Sequence, residues 1–152
     1  MKHRFLLDEN ILFFAVKGTD AQGKADSTAT ELLRRIGTNC HKIVIDPELA
    51  GRYGKHLEQL ERVGTPAMNP EEFFREFLVN EAKTAIELYA PVELPSGAKF
   101  PGEDVHIVKL ALRSKALIVT EDLGLRNSIL TQQALSLTAL SSSEALELAK
   151  DS

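Results

Sequence analysis

Short apolar segments alternate with amphipathic ones along most of this chain. Three apolar runs, at residues 4–8 (RFLLD), 42–46 (KIVID) and 116–120 (ALIVT), have the continuous hydrophobicity of strands that are covered on both faces. The first two runs end in aspartate, and helix-start signals follow them directly. Because strands and helices alternate, the pattern predicts an α/β fold with a mainly parallel sheet and right-handed connections.

The first half of the chain contains two predicted helices after the first strand. Residues 10–16 (NILFFAV) favour a helix that Asp8 would help to cap. Residues 17–26 are polar, contain two glycines and are typical of a loop. Residues 28–31 (TATE) match a capping box, which predicts a second helix that Gly37 closes.

Two further helices are predicted after the second strand. Residues 46–48 (DPE) read as an N-cap, a first helical proline and a first-turn acid, and residues 64–66 (GTP) end that helix. Asn69 begins the next one, and an apolar face at helical spacing predicts that it continues to Tyr89. Residues 91–102 hold three prolines and two glycines, which predicts a long connection over one edge of the sheet.

The last third of the chain is predicted to add one covered strand, one edge strand and three helices. Residues 105–113 are apolar on all but one face, as in a buried helix that precedes the strand at 116–120. The remaining predicted elements are a helix at 125–133, a half-exposed edge strand at 135–139, and a last helix at 145–150 that SSSE at 141–144 caps.

Composition places these elements in one domain that spans residues 1–152. The chain has 43% hydrophobic and 26% charged residues, which is ordinary for a globular protein. Its longest apolar run, at 11–16, is far too short for a membrane span, and Asp8 and Glu9 interrupt the N-terminal hydrophobic segment, unlike a signal peptide. Cys40 is the single cysteine, so no internal disulfide can form and the cytoplasm is the expected compartment.

Net charge does not argue for nucleic-acid binding, because the chain carries a formal charge of −4. A surface that binds phosphate would have to be local. Small basic clusters, among them Arg52 with Lys55 and His56, leave this possibility open without favouring it over ordinary solvated faces.

Four aspartates carry the candidate chemistry. Parallel connectivity brings the ends of all strands to one edge, so Asp8, Asp46 and Asp122 are expected there, and Asp104 joins them from a helix start. Each of them alone is explained by helix capping. Together they would repel each other, and a divalent cation would relieve this repulsion. Carboxylate oxygens suit Mg²⁺ or Mn²⁺, which activate water and neutralise charge in phosphodiester cleavage.

The order of four short motifs resembles that of PIN-domain proteins. These motifs are LLDEN near the start, GEDVHIVKLAL in the third quarter, LIVTED after it and LTALSSSEALELA at the end. The resemblance spans nearly the whole chain and is greatest to small stand-alone PIN proteins, many of which are toxins with a partner antitoxin. It implies a single domain with a parallel sheet of about five strands, helices on both faces and an acidic metal site.

The resemblance also implies which residues form the site. Asp8, Asp104 and Asp122 match the family's metal-binding aspartates, and Asn10 and Thr120 match the small polar residues that shape the site. Two positions depart from the family pattern. Arg52 stands where a glutamate is usual, so Glu48, or otherwise Asp46, would have to replace it. Gly124 stands where some relatives have a further aspartate, which leaves one-metal chemistry possible and puts two-metal chemistry in doubt.

The expected function is therefore Mg²⁺- or Mn²⁺-dependent RNA cleavage by Asp8, Asp104, Asp122 and Glu48. The alternative is a degenerate PIN module that binds RNA or a protein without catalysis. Candidate RNA-binding residues are Arg52, Lys109 and Arg126. An antitoxin and a second copy of the chain are further expected partners, and no membrane partner is expected.

Overall fold

The computed structural model describes residues 2–60, 62, 64–87, 93–95, 97–102 and 104–151. Their elements are, in chain order, β1 (Arg4–Leu7), α1 (Glu9–Lys17), α2 (Thr28–Thr38), β2 (Lys42–Ile45), α3 (Pro47–Leu60), α4 (Pro70–Phe73), a π-helical turn (Phe74–Leu78), β3 (Thr84–Ile86), α5 (Val105–Ser114), β4 (Leu117–Val119), α6 (Leu123–Thr131), a 3₁₀ turn (Gln133–Leu135), β5 (Ala139–Leu140) and α7 (Ser142–Ala149). No helix in these ranges is long and apolar enough to cross a membrane.

All strand pairs of the sheet are parallel, in the order β3-β2-β1-β4-β5. The chain moves from β1 outward to β2 and β3, then returns to the other side of β1 for β4 and β5. Strand order therefore reverses between β1 and β4, and the crevice at the carboxyl ends of these two strands is where open α/β sheets bind ligands. The predicted α/β class and five-stranded parallel sheet are confirmed.

The central strands are covered on both faces. Phe5, Leu6 and Leu7 are all fully buried, although successive side chains of a strand point to opposite faces. On β2, Ile43 and Val44 are fully buried as well. Helix α1 packs against α2 and α3, α2 packs against α7, and α5 contacts β4. The continuous apolar runs in the sequence are thus explained by cover on both sides of one sheet.

The predicted long helix from Asn69 to Tyr89 is wrong within the part of the chain that the structure describes. Helix α4 passes into a π-helical turn that ends at Leu78, and β3 begins at Thr84. The side chain of Asn80 accepts a hydrogen bond from the amide of Ala82 at 3.0 Å, which stabilises the turn before β3. Tyr89 itself lies outside the described residues.

Two other local predictions are also wrong. The capping box at Thr28 does not form, because the carboxylate of Asp26 accepts hydrogen bonds from both the amide and the hydroxyl of Thr28. Helix α2 then continues through Gly37 to Thr38. The predicted half-exposed edge strand at 135–139 is present but shorter: a 3₁₀ turn ends at Leu135, and the partly exposed edge strand β5 has two residues. By contrast, the predicted capping box of the last helix forms at residues 141–144.

Candidate acidic active site

Asp8 lies at the crevice between β1 and β4. It follows the last residue of β1 and precedes α1, and its amide donates to the carbonyl of Val119 at 3.0 Å. Its Oδ2 atom accepts a hydrogen bond from the hydroxyl of Thr120 at 2.9 Å. Because Thr120 is fully buried at the end of β4, this bond fixes the carboxylate at the point where strand order reverses.

The surroundings of Asp8 disfavour its charge. Burial raises the pKa of Asp8 above the ordinary value, the hydrogen bond from Thr120 acts in the opposite direction, and the carboxylates of Glu9 and Asp104 raise the pKa further. Asp104 is partly buried at the N-terminal end of α5. Asp8 and Asp104 are therefore close enough for their charges to interact.

Asp122 adjoins the same crevice but is more exposed and caps a helix. Its Oδ1 atom accepts a hydrogen bond from the amide of Leu125 at 3.2 Å, at the start of α6. Its own amide donates to the hydroxyl oxygen of Thr120 at 3.1 Å. Thr120 thus links the first and last of the predicted aspartates. A side chain at Gly124 would place its Cβ 3.1 Å from Asp122 Oδ1, so glycine leaves room for this cap.

Asp46 and Glu48 are paired with His106, which the sequence analysis did not connect with the site. Asp46 Oδ1 accepts from the amide of Leu49 at 2.9 Å and so caps α3, as predicted. The ring of His106 places Nε2 at 2.7 Å from Asp46 Oδ2 and Nδ1 at 2.9 Å from Glu48 Oε2. The Nε2 contact is close but not aligned as a hydrogen bond. Both contacts hold the start of α5 against the start of α3.

Arg52 forms ion pairs with two acidic side chains. One guanidinium nitrogen is 3.1 Å from Glu48 and another is 3.6 Å from Glu9. Glu48, the proposed substitute for the family glutamate, consequently contacts both Arg52 and His106. The sequence offered one signal for the contact with Arg52, namely its spacing of four residues from Glu48 on one helix face.

The side chains of the other predicted residues form no hydrogen bond or ion pair with the four aspartates in the described part of the chain, although the amide of Arg126 donates to the carbonyl of Asp122 at 3.1 Å. Asn10 is exposed in the first turn of α1, and Lys109 is half-buried on α5. Arg126 on α6 is 3.9 Å from Glu144, and its Nε atom is buried without a hydrogen-bond partner among the described residues. The structure therefore does not assemble these three side chains with the aspartates.

Tyr53 on α3 contacts the backbone next to Asp8, and no motif in the sequence connects it with the site. It is fully buried, and its hydroxyl donates to the carbonyl of Leu7, the residue before Asp8. Burial and the nearby carboxylates of Asp8, Glu9 and Asp46 raise its pKa well above the ordinary value. The hydroxyl therefore stays protonated and acts as a donor.

The described residues fit a metal site built on two carboxylates. Among them, no three His, Cys, Asp or Glu side chains are grouped so as to hold a metal ion. Mg²⁺ is usually held by one or two carboxylates, with waters and substrate phosphates as its other ligands. Asp8 and Asp104 would provide two carboxylates. Burial, and after it the charges of Glu9 and Asp104, raise the pKa of Asp8, and a bound cation would offset these effects.

Comparisons with known proteins add little beyond this geometry. No protein-family model matches the chain, and no curated protein matches it. Among solved structures, it is similar to a PilT N-terminus domain protein from the hyperthermophilic archaeon Sulfolobus solfataricus P2, with 14% identity and a TM-score of 0.49 over 98% of this chain and 95% of that one. A likeness at this level says nothing about activity.

Proposed function

We propose that this chain is a PIN-like, metal-dependent endoribonuclease. The observation that carries the proposal is the pair of carboxylates, Asp8 and Asp104, at the crevice where strand order reverses. Two neighbouring, partly buried carboxylates destabilise the fold when both are charged, and a bound cation would compensate this cost. The ordered sequence motifs, which resemble those of PIN-domain proteins, support RNA as the substrate.

Asp8 and Asp104 would hold Mg²⁺ or Mn²⁺, with Asp122 as a third candidate through the oxygen that does not cap α6. When bound, such an ion supplies charge neutralisation at the scissile phosphate and an activated water. The chain itself orients these ligands. Thr120 fixes one oxygen of Asp8, while Tyr53 holds the backbone from which Asp8 projects.

Two further groups position the helices that carry the acids. His106 contacts Asp46 and Glu48, and so sets the start of α5, which carries Asp104, against α3. Arg52 lies between Glu48 and Glu9, and its guanidinium would offer a positive group to an RNA phosphate near the site. Neither group is assigned a proton transfer.

A non-catalytic module that binds RNA or a protein is the second candidate. The observation that favours it is the pairing of Glu48 with His106 and Arg52, because this carboxylate is already engaged by two side chains of the protein itself. In this case the acidic edge would be a remnant of an active site, held together by internal ion pairs.

The two candidate functions differ in whether the protein cleaves RNA. Purified protein is incubated with a mixture of structured and single-stranded RNAs and with Mg²⁺ or Mn²⁺, as wild type and as Asp104→Asn, Arg52→Ala and Arg52→Glu. Asp151→Asn, which changes an exposed acid at the other end of the chain, is the matched control. An endoribonuclease loses nearly all turnover in Asp104→Asn and keeps it in Asp151→Asn.

Other outcomes would overturn the enzyme proposal. Equal cleavage by wild type and Asp104→Asn would show that the activity is a contaminant or lies elsewhere. Cleavage by Arg52→Glu alone would identify the natural chain as a degenerate module. A toxin role with an antitoxin partner is a narrower form of the proposal: induced expression should then stop growth of the host cells, whereas Asp104→Asn should not.

A further inference from the structure

The last helix, α7, is bonded to other elements at both of its ends. At its start, the amide of Ser142 donates to Oε1 of Glu121 at 2.7 Å. At its end, the side-chain amide of Asn39 donates to the carbonyl of Ala149 at 2.6 Å. The last carbonyls of a helix have no partner within the helix, so groups from elsewhere must satisfy them. The loop between α2 and β2, which contains Asn39, therefore caps the end of α7.

His41, in the same loop, adds a fully buried imidazole to this cap. Its Nε2 atom lies 3.1 Å from the carbonyl oxygen of Ala149 and 2.6 Å from that of Asp151. Its Nδ1 atom accepts a hydrogen bond from the amide of His3 at 3.0 Å. Both ring nitrogens are thus engaged, and one imidazole joins the end of α7 to the residue before β1.

These contacts require one protonation state of His41. A carbonyl oxygen can only accept, so Nε2 carries a hydrogen and donates it. An amide N–H can only donate, so Nδ1 carries no hydrogen. A second proton would sit on Nδ1 and face the amide hydrogen of His3. It would break that bond and leave two buried donors without an acceptor, which destabilises this attachment of α7.

The groups around the ring of His41 also disfavour a positive charge there. The imidazole of His3 stacks on it with centroids 5.3 Å apart, the ammonium group of Lys83 lies 3.4 Å from its carbonyl oxygen, and the ring of Phe5 adds no charge. Burial lowers the pKa of His3, and the charges of His41 and of the N-terminal amine lower it further, whereas Asp151 acts in the opposite direction. Because folding lowers this pKa, the stability that His3 contributes is present above about pH 6.5 and is lost as the pH falls.

We propose that His41 is an acid-sensitive anchor for the C-terminal end of α7. The neutral ring holds this end against the loop between α2 and β2, and protonation of the ring releases it. Histidine is the side chain that changes its charge between about pH 5 and 8, so a moderate fall in pH is sufficient. The start of α7 keeps its bond to Glu121, which adjoins Thr120 and Asp122 of the candidate site. The release is therefore a local opening of the last helix, and the sheet stays folded.

Amide hydrogen exchange measures this opening. Protection factors, which correct for the pH dependence of exchange in an unfolded chain, are compared at pH 7 and pH 5 for α7 and for strands β1 and β4. In wild type, protection at the end of α7 should fall about tenfold at pH 5, as expected for the loss of a buried hydrogen bond, while β1 and β4 keep theirs. In His41→Gln, whose side chain offers a donor and an acceptor but does not titrate, protection of α7 should be equal at the two pH values.

Three further variants separate the contributions. His3→Gln keeps the backbone donor to His41 and removes only the neighbouring imidazole, so its pH effect should be smaller than that of wild type but present. Asn39→Ala should lower the protection of α7 equally at both pH values, because the amide that it removes does not titrate. His56→Gln, which removes a histidine on α3, is the matched control and should behave as wild type does.

Three results would overturn the inference: equal protection of α7 at pH 5 and pH 7 in wild type, a parallel loss of protection in β1 and β4, or an undiminished pH effect in His41→Gln. If His41→Gln does not fold, the nitrogen resonances of the imidazole in wild type provide the test. A hydrogen on Nδ1 at pH 7, or protonation of the ring without a fall in the protection of α7, would equally contradict the anchor. The expected result is a hydrogen on Nε2 at pH 7 and a loss of protection that follows protonation of the ring.

Discussion

The hydroxyl of Tyr53 offers a direct test of how the fold holds Asp8. In β1, Arg4 and Phe5 pair with residues of β2, whereas the pairing of β1 with β4 continues to Leu7. The carbonyl of Leu7 accepts a hydrogen bond from Tyr53 instead. Tyr53→Phe removes this donor while keeping the ring and its edge-to-face contact with Phe73.

The expected loss of unfolding free energy follows from the burial of Leu7, whose carbonyl loses its donor. A buried acceptor that loses its donor costs about 1–3 kcal/mol of unfolding free energy. For a chain of this length, each kcal/mol corresponds to about 2–4 °C in Tm. Tyr53→Phe should therefore melt several degrees below wild type. In the endoribonuclease proposal its turnover should also fall, because Leu7 precedes Asp8 in the chain.

Urea unfolding followed by circular dichroism measures the change. We expect a lower midpoint with an unchanged slope, since the same surface is exposed on unfolding. Thr131→Val is the matched control, because it also removes one hydroxyl, whose hydrogen bond to Ser128 is exposed. Its unfolding free energy should stay within about 0.5 kcal/mol of wild type. Equal midpoints for Tyr53→Phe and wild type would refute the supporting role of the hydroxyl.

Further predictions concern charge at the same edge. Asp8→Asn should melt above wild type at neutral pH in EDTA. Because folding raises the pKa of Asp8, the protonated carboxyl stabilises the fold below about pH 3.9, and this contribution is lost as the pH rises. The difference in Tm between the two proteins should therefore vanish in acid. Asp46→Ala should lower the unfolding free energy by about 1 kcal/mol in urea titrations, whereas Asp46→Asn, which still caps α3, should cost less. Millimolar Mn²⁺ should raise the Tm of wild type and not that of Asp104→Asn/Asp122→Asn; an unchanged wild-type curve would favour the non-catalytic module. Arg52→Glu should melt below wild type without metal, because it adds an acid beside Glu9 and Glu48, and Mn²⁺ should restore more stability to it than to wild type.

The strands were predictable where hydrophobicity and capping agreed. The runs at 4–8, 42–46 and 116–120 contain β1, β2 and β4, because strands covered on both faces admit few polar residues. Strand β3 was missed, since its three residues continue the helical spacing of the phenylalanines before them. What interrupts that helix is a turn at Asn80, together with contacts from Lys83 to the end of α2, and no local pattern reports such contacts.

The residues of the candidate site were also predictable only in part. Asp8 and Asp104 could be predicted to lie near each other, because parallel topology alone collects strand ends and helix starts at one edge. The capping role of Asp122 was also foreseen, as the alternative to a metal ligand. His106 and Tyr53 could not be connected with the site, since their partners lie on elements that are distant in sequence.

The contacts of Glu48 determine which acids are available to bind a metal ion. Its carboxylate contacts His106 on α5 and Arg52 on its own helix, and Arg52 also reaches Glu9 on α1. These contacts tie together the three helices whose N-terminal ends surround the acidic site. A metal ion that recruited Glu48 would have to displace His106 and Arg52, whereas an ion held by Asp8 and Asp104 would leave both in place. The contacts that make Glu48 a poor metal ligand therefore keep the site assembled for a metal held by the other two acids.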